Sequence, residues 1–151
     1  MLPTEGNVDF SSDSGPLKVE NIYNKISFAA PYMTLFEQLT LIEQVKIHLE
    51  FRTIGGLSDS EAVLDKMELN AHSGKRIEDL SSGMKQRLKL GLAMMSDGDM
   101  ILLDEPISNL DENGRRWYHK MINEYIQNKT VIVCSNKLEE EYNFCTEVLS
   151  L

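Results

Sequence analysis

The chain has 151 residues, 42% hydrophobic and 26% charged, with 15 Lys plus Arg against 24 Asp plus Glu. That length makes one domain with enough buried surface for its own core. The net charge of −9 excludes a nucleic-acid binder working through a basic face, since neutralising phosphates takes clustered Lys and Arg.

No apolar run reaches membrane-spanning length, and the opening MLPTE has neither the charged nor the apolar region of a signal peptide, so a cytosolic chain is expected. Cys134 and Cys145 lack ligand spacing and read as reduced thiols. His48, His72 and His119 stand apart from acidic or Cys neighbours at metal spacing, so no histidine metal site is expected.

In chain order, GNVDFSSDSGPLK (6–18) is turn-rich around a strand candidate at 7–10 and reads as a hairpin or loop. KISFAA (25–30) is a second strand candidate, ended by Pro31. Thr40 with Glu43 makes a capping box, and Leu41, Val45 and Leu49 then share a helical face. After a Gly55-Gly56 turn, Ser58 and Glu61 repeat that signature before Val63, Leu64 and Met67, with Asn70 as the stop. Ser81 or Ser82 caps the next helix, where Met84, Leu88, Leu92 and Met95 line one side and Lys85 and Lys89 lean off it.

Residues 100–103 are an unbroken apolar strand, the pattern of a strand covered on both faces. Asp111 caps a helix with Tyr118, Ile122 and Tyr125 on a stripe, and TVIVC (130–134) is another buried strand. Leu138, Tyr142 and Cys145 mark a short helix, and 148–151 a last strand. Helices alternate with apolar strands through the second half, which predicts an α/β fold with a parallel sheet.

Two stretches carry chemistry. Asp104 ends a strand where an open α/β sheet presents its ligand crevice, and a carboxylate there suits Mg²⁺, which keeps several waters. Glu105 beside it is placed to polarise an attacking water. A buried strand entering an acidic turn gives the same pattern. The second stretch, LSSGMKQR (80–87), is a Ser-Ser-Gly turn opening a helix, whose free N–H groups and partial positive charge suit a phosphate. Gly83 would let that backbone come close. An ordinary Ser-capped helix reads alike; the turn's place 21 residues before Asp104, with SNLD (108–111) after it, is less common.

LSSGMKQRLKLGLAMM, MILLDEPISNLD and TVIVCSNKLEEEYNFC together resemble the C-terminal half of an ATP-binding-cassette (ABC) ATPase. LSSGM is similar to the signature motif, LLDEP to Walker B, SNLD to the D-loop, and Ser135-Asn136 to the switch region. ISFAAPYMTLFEQLT resembles the Q-loop segment, and LPTEGNVDF the strand after the phosphate-binding helix. The signature Met and the LTL segment lean towards exporter-type, including haem-exporter-like, cassettes.

The resemblance implies a P-loop NTPase-like fold with a parallel sheet and a helical subdomain. It divides the chain into about 1–36, 37–80 and 81–151. It implies ATP and Mg²⁺, with Asp104 holding the metal and Glu105 activating water. Ser81, Ser82 and Gly83 would meet the γ-phosphate of a nucleotide held by a second ABC ATPase subunit. Asp111 would link the two sites, and Asn136 would stand at the switch. A membrane permease is the implied further partner, placing the chain at the inner face of a membrane without nucleic acid.

Three features depart from the family. Pro31 stands where the Q-loop has glutamine, and Asn136, which cannot carry charge, where the switch has histidine; both imply slowed or altered hydrolysis. No G-x-x-x-x-G-K-[ST] occurs: Gly74-Lys75 is followed by Arg76 and reads as a solvated loop. Four buried Val, Ile or Leu side chains contribute roughly 6–12 kcal/mol, against a whole domain's about 5–15 kcal/mol. Losing the loop's central strand is comparable to losing the margin of the fold. The expectation is therefore a C-terminal piece of a cassette, with Met1 an internal methionine or the N-terminal part encoded separately. The alternative is a non-catalytic partner that lends its signature turn to a complete subunit or binds a permease without turning over ATP.

Overall fold

The structure, a computed structural model, describes residues 5–6, 9–12, 15–16, 22–136 and 138–150. Of the first strand expected, 7 and 8 lie outside the described residues, and Asp9 and Phe10 are not in a strand. The hairpin falls just after, with β1 (Ser11–Ser12) antiparallel to β2 (Gly15–Pro16).

The sheet that matters is parallel. β3 (Ile26–Ala29), β4 (Met100–Asp104) and β5 (Thr130–Cys134) lie in that order, with Phe28 opposite Leu102 and Leu102 opposite Ile132. Strand side chains alternate between faces. Ser27, Ala29, Ile101 and Leu103 are buried on one face. On the other, Phe28 and Ile132 are each 48% exposed. The sequence predicts strands covered on both faces. Among the described residues only one face is covered, chiefly by the helix over Ser82–Met95, which packs on β3 and β4.

Local chemistry fixes the helices. In α1 (Leu41–Phe51) the Thr40 hydroxyl accepts from the Glu43 N–H, and the Glu43 carboxylate accepts from the Thr40 N–H at 2.8 Å, so the capping box forms. Leu41 and Val45 go to the core. In α2 (Ser60–Lys66) the cap is Asp59 rather than Ser58, since its carboxylate accepts from both Glu61 and Ala62 N–H groups. Nor does Asn70 stop this helix: Glu68 turns left-handed (φ 56°) just after its end, and Asn70 opens a short 3₁₀ turn.

α3 (Ser82–Met95) is the central helix, burying Leu88, Leu92 and Met95 against β3 and β4. Its Gly91 lies against Met67, which a side chain there would strike at 2.6 Å. α4 (Glu112–Tyr125) packs on α3 and buries Trp117, Tyr118, Met121 and Ile122. The Trp117 indole N–H donates to the Lys66 carbonyl at 2.9 Å, and the Arg87 guanidinium lies over its ring, joining α2 to the sheet unit. α5 (Glu139–Tyr142) is a single turn, and residues 148–150 form no strand.

Candidate nucleotide site

β4 delivers Asp104 to the C-terminal edge of the parallel sheet, half-buried, in register with Cys134 of β5. The pairing runs one residue further, where the Glu105 N–H donates to the Cys134 carbonyl at 2.9 Å. The chain then turns sharply: Glu105 takes a left-handed φ of 41° and Asn109 one of 62°. Such conformations cost free energy in residues with side chains and persist only where the surroundings impose them. Here turn bonds from Ser108 N–H to Glu105 carbonyl and from Leu110 N–H to Ile107 carbonyl impose them.

Asp104 makes no hydrogen bond or ion pair through its side chain among the described residues, whereas the Glu105 carboxylate accepts from the Asn136 side-chain amide. The end of β4 and the Asn136 loop therefore meet. A partnerless half-buried carboxylate suits a hydrated divalent cation. No group of three or more His, Cys, Asp and Glu could hold a metal among the described residues, so the fit is for Mg²⁺, which needs only one or two protein oxygens.

The signature turn packs directly on the loop that follows β4. Ser81 is the cap of α3, and its hydroxyl accepts from the Met84 N–H at 3.2 Å. The N–H groups of Ser82 and Gly83 have no acceptor within the described residues, as the first turn of a helix requires. Gly83 is half-buried, and a Cβ there would lie 2.9 Å from the Asn109 carbonyl. Its missing side chain thus serves an approach within the chain, which the phosphate-based reading did not anticipate. Gln86, buried, adds a second tie by donating to the Pro106 carbonyl at 3.0 Å. Asp111 is exposed and caps α4, its carboxylate accepting from the Gly114 N–H at 2.7 Å.

Two residues correct the sequence reading. Lys89 does not lean into solvent: it is 8% exposed, and its ammonium donates to the Pro31 carbonyl. Burial, and then Lys85, lower its pKa. The Q-loop position thus lacks an amide side chain but has its backbone held. Glu141, one of three successive glutamates, is 1% exposed beneath the 105–111 loop. Nothing in its sequence context marks it as different from Glu139 and Glu140.

An acidic pair thus ends a parallel strand of an α/β domain, with Glu105 against the Asn136 amide and the start of α3 packed beside the loop that follows. The chain belongs to the ABC transporter family, whose model matches residues 1–108. The bacitracin transport ATP-binding protein BcrA of Enterococcus faecalis is 31% identical over 145 residues, which are 92% of this chain and 46% of that protein. YybJ of Bacillus subtilis, an ABC transporter ATP-binding protein, is 27% identical over all of this chain and 69% of its own length. ABC transporter A family member 11 of Dictyostelium discoideum is 28% identical over 87% of this chain, which spans only 16% of that protein. Among solved structures, the ATP-binding cassette MJ0796, in a dimeric post-hydrolysis state bound to ADP and Pi, superposes with a TM-score of 0.72. It is 25% identical, over 93% of this chain and 67% of that one. The fold is that of an ABC ATPase cassette.

Proposed function

We propose that residues 1–151 carry the signature, Walker B, D-loop and switch elements of an ATP-hydrolysing transporter subunit that works paired with a second ATPase subunit. The observation that carries this is the partnerless Asp104 carboxylate at the sheet's open edge, beside a Glu105 held by Asn136. Asp104 would hold Mg²⁺, which when bound would offset phosphate charge. Glu105 accepts the proton of the attacking water, and Asn136 orients Glu105 by donating to its carboxylate. The Ser82 and Gly83 N–H groups, with the Ser81 turn, meet the γ-phosphate of a nucleotide held by the second subunit, and Asp111 faces that subunit.

The phosphate-cradling loop is absent from residues 1–151, and we infer that another stretch of polypeptide supplies it. The open sheet face at Phe28, Leu102 and Ile132 supports this, because a sheet buries both faces when helices flank it on both sides. A groove beside β3 is lined by Met33, Phe36, Gln44 and His48. Met33 and Phe36 are exposed there rather than in the core. We assign this groove to a permease, which places the chain at the cytoplasmic face of a membrane; no helix among the described residues is long and apolar enough to cross one.

ATP turnover by the chain assembled with the polypeptide that supplies its phosphate loop and with a second ATPase subunit tests the reading. Glu105→Gln is expected to lower kcat by about 10²–10⁴-fold while nucleotide binding persists. A Glu105→Gln chain that turns over at the wild-type rate defeats it. Pro31, Asn136 and the absent loop favour a second reading, a non-catalytic partner that lends only its signature turn. In that case Glu105→Gln in this chain is silent, while Gly83→Asp still stops the pair.

A further inference from the structure

Beneath the loop that carries Glu105 lies a buried acid that the proposed chemistry does not use. Glu141 sits on α5 at 1% exposure, with no ion pair among the described residues. One carboxyl oxygen accepts from the Ile107 N–H at 3.4 Å, and the other, Oε2, is buried without a partner. Next to Ile107, the Ser108 hydroxyl is likewise buried and without a partner. Two orphaned polar atoms are costly in a packed interior. A neutral Glu141 lowers that cost while one oxygen keeps the Ile107 N–H.

We propose that Glu141 is a positioning residue for Glu105: it latches the 105–111 loop from below through the Ile107 N–H. The surroundings favour the neutral acid. Burial raises the pKa of Glu141 most, and the nearby Glu105 and Asp104 carboxylates raise it further; the Ser135 hydroxyl and the Ile107 N–H oppose this in part. From α4 the Tyr118 hydroxyl donates to the Glu141 main-chain carbonyl at 2.9 Å and so fixes α5 without touching its carboxyl. Outside, it is Glu140 rather than Glu141 that engages the Arg115 guanidinium and the His119 ring.

The link to catalysis rests on the role proposed for Glu105, whereas the latch itself does not, and amide hydrogen exchange on the whole chain reads the latch without nucleotide. Glu141→Ala is expected to speed exchange at Ile107 and Ser108 at least ten-fold while the amides of Leu88 and Leu92 keep their rates. Glu141→Gln, whose amide oxygen still accepts from Ile107, is expected to retain protection. Unchanged exchange at Ile107 and Ser108 in Glu141→Ala overturns the latch. So does a Glu141→Gln chain as loose as Glu141→Ala, since the acid would then be needed charged. In the assembled ATPase, Glu141→Ala is expected to lower kcat with KM unchanged and Glu141→Gln to restore it. If no assembly turns over ATP, the exchange result still decides the latch.

Discussion

Gly83 and the Asn109 carbonyl meet where a side chain does not fit. The clash at 2.9 Å is with backbone, not with the end of a flexible side chain, so an alanine there must push the 105–111 loop. Alanine in place of glycine gains up to about 1 kcal/mol of helix propensity, while overpacking costs about 1–3 kcal/mol. Gly83→Ala is therefore expected to lose roughly 1–2 kcal/mol net, seen as a lower urea midpoint with unchanged slope. A variant more stable than wild type would mean that the Asn109 carbonyl yields freely. Residue roles were partly legible here. The Ser81 cap and the place of Asp104 at a strand's end follow from local pattern. The contact that needs Gly83 bare spans 26 residues, and nothing in the quoted turn announces it. The burial of Lys89 and Glu141 has the same origin, since both sit among like residues in sequence and are singled out only by what packs above them.

Among the elements, α1 and α3 are joined by a polar contact that makes their packing depend on pH. The Ser96 hydroxyl caps α3 by donating to the Leu92 carbonyl at 2.5 Å, which leaves it to accept from His48 Nε2 at 2.7 Å. That fixes the neutral imidazole with its proton on Nε2. Burial, and secondarily Arg52, pull the pKa of His48 down to about 4. The unfolded chain therefore binds a proton near pH 6.5 that the folded chain refuses until about pH 4. The stabilisation is complete above the unfolded value and is lost as pH falls through this window. A shift of that size amounts to about 3 kcal/mol for a fully shielded ring and about 2 for this partly exposed one. His48→Gln can still donate to Ser96 but does not titrate. Its stability is expected to fall less than that of the wild type between pH 6.5 and 4, and parallel stability curves for the two would refute the assignment. The capping box opening α1 is plain in Thr40 and Glu43, which are three residues apart; His48 and Ser96 are 48 apart, and only the fold pairs them.

For the molecule as a whole, the decisive feature is a parallel sheet with one dry face and one open face. Alternating helices and apolar strands disclose the parallel α/β class, but an apolar strand looks the same whether its second face is covered within the chain or by something else. Ile101 and Ile132 sit on adjacent strands with opposite exposure, 1% and 48%. Ile101→Ala should cost about 2–5 kcal/mol in any context, since it opens a cavity in a packed layer. Ile132→Glu should cost at most about 1 kcal/mol in the 151-residue chain, because a half-exposed position lets the carboxylate stay hydrated. If the phosphate loop's polypeptide lies over Phe28, Leu102 and Ile132 in the assembled protein, the same glutamate becomes a buried, unpaired charge. Its cost then rises to several kcal/mol. Thermal or urea unfolding of Ile132→Glu, alone and assembled, separates the cases. A rise in cost on assembly is expected; an equally small cost in both would mean that the face stays open and that the missing loop docks elsewhere.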